Sequence, residues 1–317
     1  MNDVLADLAV ARRTLLVGGI GLVGCASGPK SADHSAGEDL PLEGKAGLSQ
    51  SVMLSGASLD GTHFVAVRAC QYPEAGVVWL WCTVATPKGL FQFSSNRLPW
   101  QGPALSPDEA GTAVYRAESS LAAAEFVRTG TLKTPQKTDL NARFTAQSQG
   151  LRPINRARVS LVAEFEPLSG YAGLLTGRTE AFGYAKFVLN LAGQKVVFEG
   201  PSQFHEQTQT DARFVAPFIF SSLWSKDLFS SILVGQPNGG GYVLNEGRPS
   251  AISKPKAELT QTASKFTFSV GGIDRTVVLE NRFSYQIPIY NTLWQGRFVK
   301  GEFFGKAVVG MVNSWLF

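Results

Sequence analysis

Helical periodicity is scarce in this chain, charge is thin, and the residues that hold metals are few. Three His and three Cys occur in 317 residues, none at ligand spacing, which excludes the usual zinc sites. Charged residues make up 17%, below the usual quarter. The net charge of +4 comes from Lys and Arg scattered among acids. No basic cluster forms, so nucleic acid is not an expected partner. There is no Gly-x-Ser-x-Gly elbow, and only His63 and His205 could serve a triad. The glycine triplet of "GQPNGGGYVLNEG" lacks the Lys-Ser/Thr of a phosphate loop and reads as a hairpin turn. No cofactor is expected.

What is present is apolar, aromatic and rich in turns. The chain holds 33 Gly and 21 Phe. Runs such as "THFVAVRACQY", "VVWLWCTVAT", "EAFGYAKFVLNL" and "KFTFSVGG" are strand-length, with Gly, Asn and Pro between them. That pattern predicts antiparallel β barrels or sandwiches. One segment, "SPDEAGTAVYRAESSLAAAEFVRTG" (residues 106–130), opens with a cap, a Pro and acids, and predicts a helix. Gly111 and Thr112 interrupt it, and "TAVYRAE" fits a strand equally well.

The first 24 residues read as an export signal rather than part of the fold. Arg12 and Arg13 precede "TLLVGGIGLVG", a run too short and too Gly-rich to span a bilayer. Four glycines between Gly18 and Gly24 also argue against a helix with a buried Cys. The run ends in "LVGC", which resembles the lipobox of bacterial lipoproteins, and that resemblance implies lipidation of Cys25. The paired arginines partly resemble a twin-arginine signal. The expected location is the cell envelope, on a periplasm-facing membrane. Residues 25–50 read as a flexible tether, with His34 solvated inside it. Cys70 and Cys82 flank a predicted hairpin, "QYPEAGVVWLW"; a cross-strand disulfide and two buried thiols both fit.

An internal echo suggests duplication. "EAFGYA" (residues 180–185) and "EFFGKA" (residues 302–307) agree at four of six places, each near the end of a block of comparable length. Its Gly within a strand suits a bend or bulge in a curved sheet. The expected domains are residues 51–200 and 201–317, two consecutive lipocalin-like antiparallel barrels in an all-β chain.

From Val52 onward the chain resembles the superfamily of carotenoid 1,2-hydratase and secreted-hydrolase-like double lipocalins, whose architecture the fungal lipocalin-like Diels–Alderases share. The resemblance rests on strand layout, on "GRTEAFGYAKFVLNLAGQKVVFEG" and on the closing "GEFFGKAVVGMVNSW". It implies an apolar, isoprenoid- or lipid-like small molecule as partner. In that family a central strip carries a Gly, a second Gly two places on, an Asp-His run and a Trp-Gly pair. Here Gly200 matches the first Gly and Ser202 replaces the second. His205 and Glu206 fill the acidic-His region in reversed order, and residues 207–210 replace the Trp-Gly pair.

The strip "GPSQFHEQTQTDARF" (residues 200–214) is therefore the candidate site. Hydration, cyclisation or isomerisation needs a proton donor and an acceptor beside an apolar chain. A carboxyl in an apolar pocket can be that donor. Glu206, His205 and Glu180 are the candidate catalytic residues. Gln203, Gln207, Gln209, Arg213 and Trp224 are candidate ligand contacts. In an extended strand His205, Gln207 and Gln209 share one face and Glu206, Thr208 and Thr210 the other. A His–Glu dyad between neighbours then needs a bulge, and Glu180 from an adjacent strand is the easier partner. Arg213 could pair with Glu206, hold a ligand carboxylate or lie on the surface. Against these stands a structural reading, in which Gln and Thr satisfy backbone groups where two sheets meet. Three functions remain open: a cofactor-independent enzyme, a lipid or isoprenoid carrier, and a structural envelope lipoprotein.

Overall fold

The computed structural model describes residues 47–100, 112–119, 122–130, 139–147, 158–172, 177–235, 239–289 and 292–316, with positions 102, 132, 174 and 175 between them. The expected signal, Cys25 and His34 lie outside the described residues, as does most of the expected tether. Its last residues, Ser49 and Gln50, already belong to the first strand.

Ten strands form one antiparallel sheet. They are β1 (Ser49–Ala57), β2 (Phe64–Tyr72), β3 (Val77–Thr86), β4 (Gly89–Pro99), β5 (Thr112–Glu118), β6 (Ala122–Thr129), β7 (Asp139–Gln147), β8 (Arg158–Ala172), β9 (Arg178–Leu191) and β10 (Gln194–Gln209). Their order is β4-β3-β2-β1-β10-β9-β8-β7-β6-β5. A closed barrel follows: β11 (Phe218–Trp224), β12 (Leu228–Gly235), β13 (Gly240–Asn245), β14 (Arg248–Leu259), β15 (Ala263–Val270), β16 (Ile273–Ile289), β17 (Thr292–Phe303) and β18 (Lys306–Trp315).

The all-β expectation holds, with one closed barrel rather than two. The first unit is a sheet whose end strands β4 and β5 do not pair among the described residues. Closure requires strand number, tilt and stagger to agree, and alternation along a strand encodes none of these. The change of sheet falls in residues 210–217, because β10 runs through Gly200 and pairs with β1 and β9 up to Gln207 and beyond.

The segment that fitted helix and strand alike is a hairpin. β5 and β6 are antiparallel, and their burial alternates with period two. The Ala-rich segment satisfies a strand's pattern, and packing overrides local helix propensity. The expected duplication also fails at its markers. Residues 180–185 lie inside β9, whereas residues 302–307 cross the β17–β18 turn, where Phe304 and Gly305 take φ of 51° and 72°. A turn of like backbone conformation, Ala192–Gly193, joins β9 to β10 at φ of 48° and 84°. Such two-residue turns match the twist of paired strands. The bulge expected at the first Gly is present: the β8–β9 register shifts between Pro167 and Ser169, opposite Gly183.

Three apolar clusters organise the core. One fills the concave side of the ten-stranded sheet, with Leu54, Val67, Phe126, Phe187 and Phe204. Another fills the barrel, with Leu223, Ile232, Phe266 and Leu279. The third lies between the two, where the outer faces of sheet and barrel meet: Trp79, Trp81 and Phe182 pack with Phe220, Trp224, Phe229 and Phe298. This junction explains why β1 and β2 are buried at every residue. It also explains the pattern of β10, whose first half alternates with solvent while residues 200–207 are wholly buried. Gly200 stands where that passage begins; a Cβ there would collide with the carbonyl oxygen of Ala57.

Cys70 and Cys82 are free and buried. Cys70 stands opposite Trp79 and faces the junction, whereas Cys82 stands opposite Val67 and joins the concave core. Opposite faces of a sheet rule out a disulfide between them.

Candidate functional site

The strip lies where a strand is covered on both sides, so its polar side chains are buried in alternating directions. Gln203, His205 and Gln207 face the junction. Phe204 and Glu206 face the concave core. The two candidate acids part company here. Glu206 is fully buried and receives Nε of Arg128, from β6, at 2.7 Å. Among the described residues it does not reach His205, and Arg213 bonds to Ser49 instead. Glu180 stands directly across from His205 in the β9–β10 register.

Around Glu180 a network closes. Arg178, two residues earlier on the same strand and so on the same face, donates Nε at 2.8 Å and Nη2 at 2.5 Å to Glu180 Oε1. Gln203 Nε2 donates to the same oxygen at 2.8 Å. The hydroxyl of Tyr242, on β13 of the barrel, donates to Glu180 Oε2. Gln203 Nε2 also lies 3.4 Å from Ser231 Oγ, on β12. Sheet and barrel are thus joined by hydrogen bonds through one carboxylate. Burial first, and then the Glu180 charge, push the Tyr242 phenol well above its ordinary range, so it keeps its proton.

Arg178 Nη2 lies 3.2 Å from His205 Nδ1. A guanidinium only donates, so Nδ1 accepts, and in the neutral ring the proton sits on Nε2. Burial above all, reinforced by the charges of Arg178, Arg68 and Arg213, holds the His205 pKa well below its ordinary 6.5. The ring is therefore neutral at physiological pH. Nε2 makes no hydrogen bond among the described residues. It is a donor on the junction face, where Arg178 lies over the Phe220 ring at 4.9 Å.

The other candidates spread outward from this centre. Gln207 Oε1 accepts from Arg178 Nη1 at 3.4 Å, and its Nε2 donates to Gln209 Oε1 at 2.9 Å. Gln209, half-buried, donates to the carbonyl of Asp211 at 3.0 Å. Arg213, also half-buried, donates to Ser49 Oγ at 2.7 Å. Trp224 is fully buried in the junction and donates Nε1 to Ser222 Oγ at 2.6 Å. His63 stands apart, stacked on Phe198 and bonded to Thr62.

Sequence reasoning missed Arg178, Tyr242 and Arg128. Arg178 was within reach, since it precedes Glu180 by one strand period in "GRTEAFG". Tyr242 and Arg128 come from strands distant in sequence, with no local signal.

The fold is similar to that of CghA. The structure of CghA with Sch210972 superposes with a TM-score of 0.58 at 11% identity, over 84% of this chain and 88% of that one. Kievitone hydratase from Nectria haematococca superposes at 0.53 with 8% identity, covering 85% of this chain and 88% of that one. An AttH-like protein from Nitrosomonas europaea does so at 0.51 with 8% identity, covering 88% and 97%. The similarity is to the double-lipocalin, AttH-like fold. No family model and no curated protein matches the sequence.

Proposed function

We propose that this protein is a distant relative of the carotenoid 1,2-hydratase superfamily. It binds an apolar small molecule at the junction between sheet and barrel and acts on it through hydrogen bonds donated by its own side chains. The observation that carries this reading is the uncommitted Nε2 of a buried, neutral His205 whose other nitrogen is held by Arg178. An apolar site with a few convergent polar groups is the usual form of a small-molecule pocket. A neutral imidazole N–H in such a site donates to a carbonyl or hydroxyl oxygen without itself being an acid. Polarising a carbonyl in this way activates a conjugated alkene for cyclisation, or for addition of water, in which the water supplies both the hydroxyl and the proton that add. Arg178 and Glu180 orient the ring, and the aromatic side chains hold the apolar body. The structural neighbours kievitone hydratase and CghA, the latter solved with Sch210972, support a small-molecule reading of the site.

A second reading has an observation of its own. Tyr242–Glu180 and Gln203–Ser231 bridge the two units directly, so the network could serve to stitch them. The two readings part at His205, which bridges nothing. The full chain and its His205→Ala variant, each incubated with an organic extract of cell envelopes, are compared by mass spectrometry of what stays bound. The site reading expects a retained species that the variant loses. Identical profiles, or none in either, would leave only the stitching role.

We further propose that the protein is exported and anchored through a lipid on Cys25, facing the periplasm, with the twin-arginine route available to it. This rests on "LVGC" and the paired arginines. Cys25→Ala should abolish both palmitate-analogue labelling and membrane association; equal labelling of both proteins would rule it out.

A further inference from the structure

The register places Trp81, Arg68, Met53, His205 and Glu180 opposite one another in turn, a single row across β3, β2, β1, β10 and β9. All five side chains point into the junction. Within this row Arg68 is anomalous. It is 7% exposed. Its Nη1 is enclosed and finds no hydrogen-bond partner. Among the described residues it forms no ion pair. Its guanidinium lies over the Trp81 ring at 4.7 Å.

The surrounding charge makes this stranger. Burial is the largest influence on Arg68 and disfavours its charge; Arg213 and Arg178 add to that, against Cys70 and Tyr72. Three guanidinium groups, Arg68, Arg178 and Arg213, thus act at this face. The carboxylate of Glu180 is committed to Arg178. An aromatic ring returns part of what an unpaired buried cation loses, but not its missing hydrogen bonds. A further orphan lies one step along β1: Ser55 Oγ is enclosed and has no partner among the described residues, in the row that joins it to Gln203. Arg213, bonded to Ser49 and 3.5 Å from Ser51, flanks the same strand.

We infer that the junction carries an anion-recognition subsite, with Arg68 as its central cation, Ser55 as a hydroxyl donor and Arg213 at the rim. The ligand class it fits is an amphipathic acid: an apolar body against the aromatic wall and a carboxylate on Arg68. A planar guanidinium matches a carboxylate with two parallel hydrogen bonds. The inference deepens the reading of the junction as a ligand site and rests on it.

Three probes separate the parts: decanoate carries tail and charge, decan-1-ol the tail alone, and acetate the charge alone. Calorimetric titration of the full chain should show decanoate bound about tenfold or more tighter than decan-1-ol, the size of a charge-assisted hydrogen bond, and acetate weaker than both. Arg68→Gln should remove that preference while decan-1-ol affinity stays within about twofold. Arg68→Lys should keep part of it. Should Arg68→Gln fail to fold, Arg213→Gln at the half-buried rim should still reduce the preference. Equal binding of decanoate and decan-1-ol overturns the anion subsite and leaves the apolar site standing. A preference unchanged in the Arg68 and Arg213 variants overturns it too. No binding of either amphiphile overturns both. A decanoate preference that survives in His205→Ala supports the anion subsite even where the role of His205 fails.

Discussion

Arg178 donates to His205 across the β9–β10 pair, Nη2 to Nδ1 at 3.2 Å. The contact does two things. It fixes the tautomer with its proton on Nε2, and it sets a positive charge beside a ring that would otherwise titrate near neutrality. The imidazole is held neutral by its surroundings, and that carries a stability consequence.

The His205 pKa is lowered in the native state from its ordinary 6.5. As pH falls below that ordinary value, the unfolded chain binds a proton that the folded chain refuses. The stability in question is therefore complete above the unfolded pKa and is lost as pH falls toward the native one. The slope from one such group approaches about 1.4 kcal/mol per pH unit. Denaturant unfolding at about pH 7.5 and about pH 5.5 should show wild type losing roughly 1 kcal/mol more than His205→Asn. An identical pH dependence in the two proteins would show that the ring titrates freely.

Glu206 is expected to matter for stability and not for the ligand. Its ion pair with Arg128 is enclosed on the far face of the strand. Removing one partner strands the other charge, so Glu206→Ala should cost about 3–5 kcal/mol in equilibrium unfolding. At temperatures where the variant remains folded, its retained small molecules should match wild type. Loss of the ligand at full stability would reverse the assignment of the two faces.

The two core cysteines are expected to stay reduced. They lie on opposite faces of β2 and β3 and are both buried. A thiol reagent should reach them only after unfolding, and dithiothreitol should leave the melting temperature unchanged. A drop in melting temperature on reduction would require a disulfide that this register forbids.

Much of the site's facing was legible in the residues themselves. Period two alone put His205, Gln207 and Gln209 together and parted them from Glu206, because side chains alternate along any extended strand. The same rule, applied from Glu180 back to Arg178, reaches the residue that orients the imidazole. Partners brought from afar were not legible. Arg128 and Tyr242 meet the strip only through the order of strands, and no local pattern carries that order. Residues 112–129 stayed open between helix and strand for a related reason: a start signal and Ala-rich composition are local, while the neighbours that made β5 and β6 strands are not. The echo of residues 180–185 in residues 302–307 joined a mid-strand bulge to a hairpin turn. A six-residue match has no structural meaning until register is known.

The central claim is that the ligand sits between sheet and barrel, not inside the barrel. Photolabelling the full chain with a diazirine-bearing alkanol, followed by peptide mapping, tests this most directly. The account predicts adducts on junction side chains such as Phe182, Trp224 and Phe229, with labelling reduced by His205→Ala. Adducts confined to the barrel interior, at Ile232, Phe266 or Leu279, would contradict it.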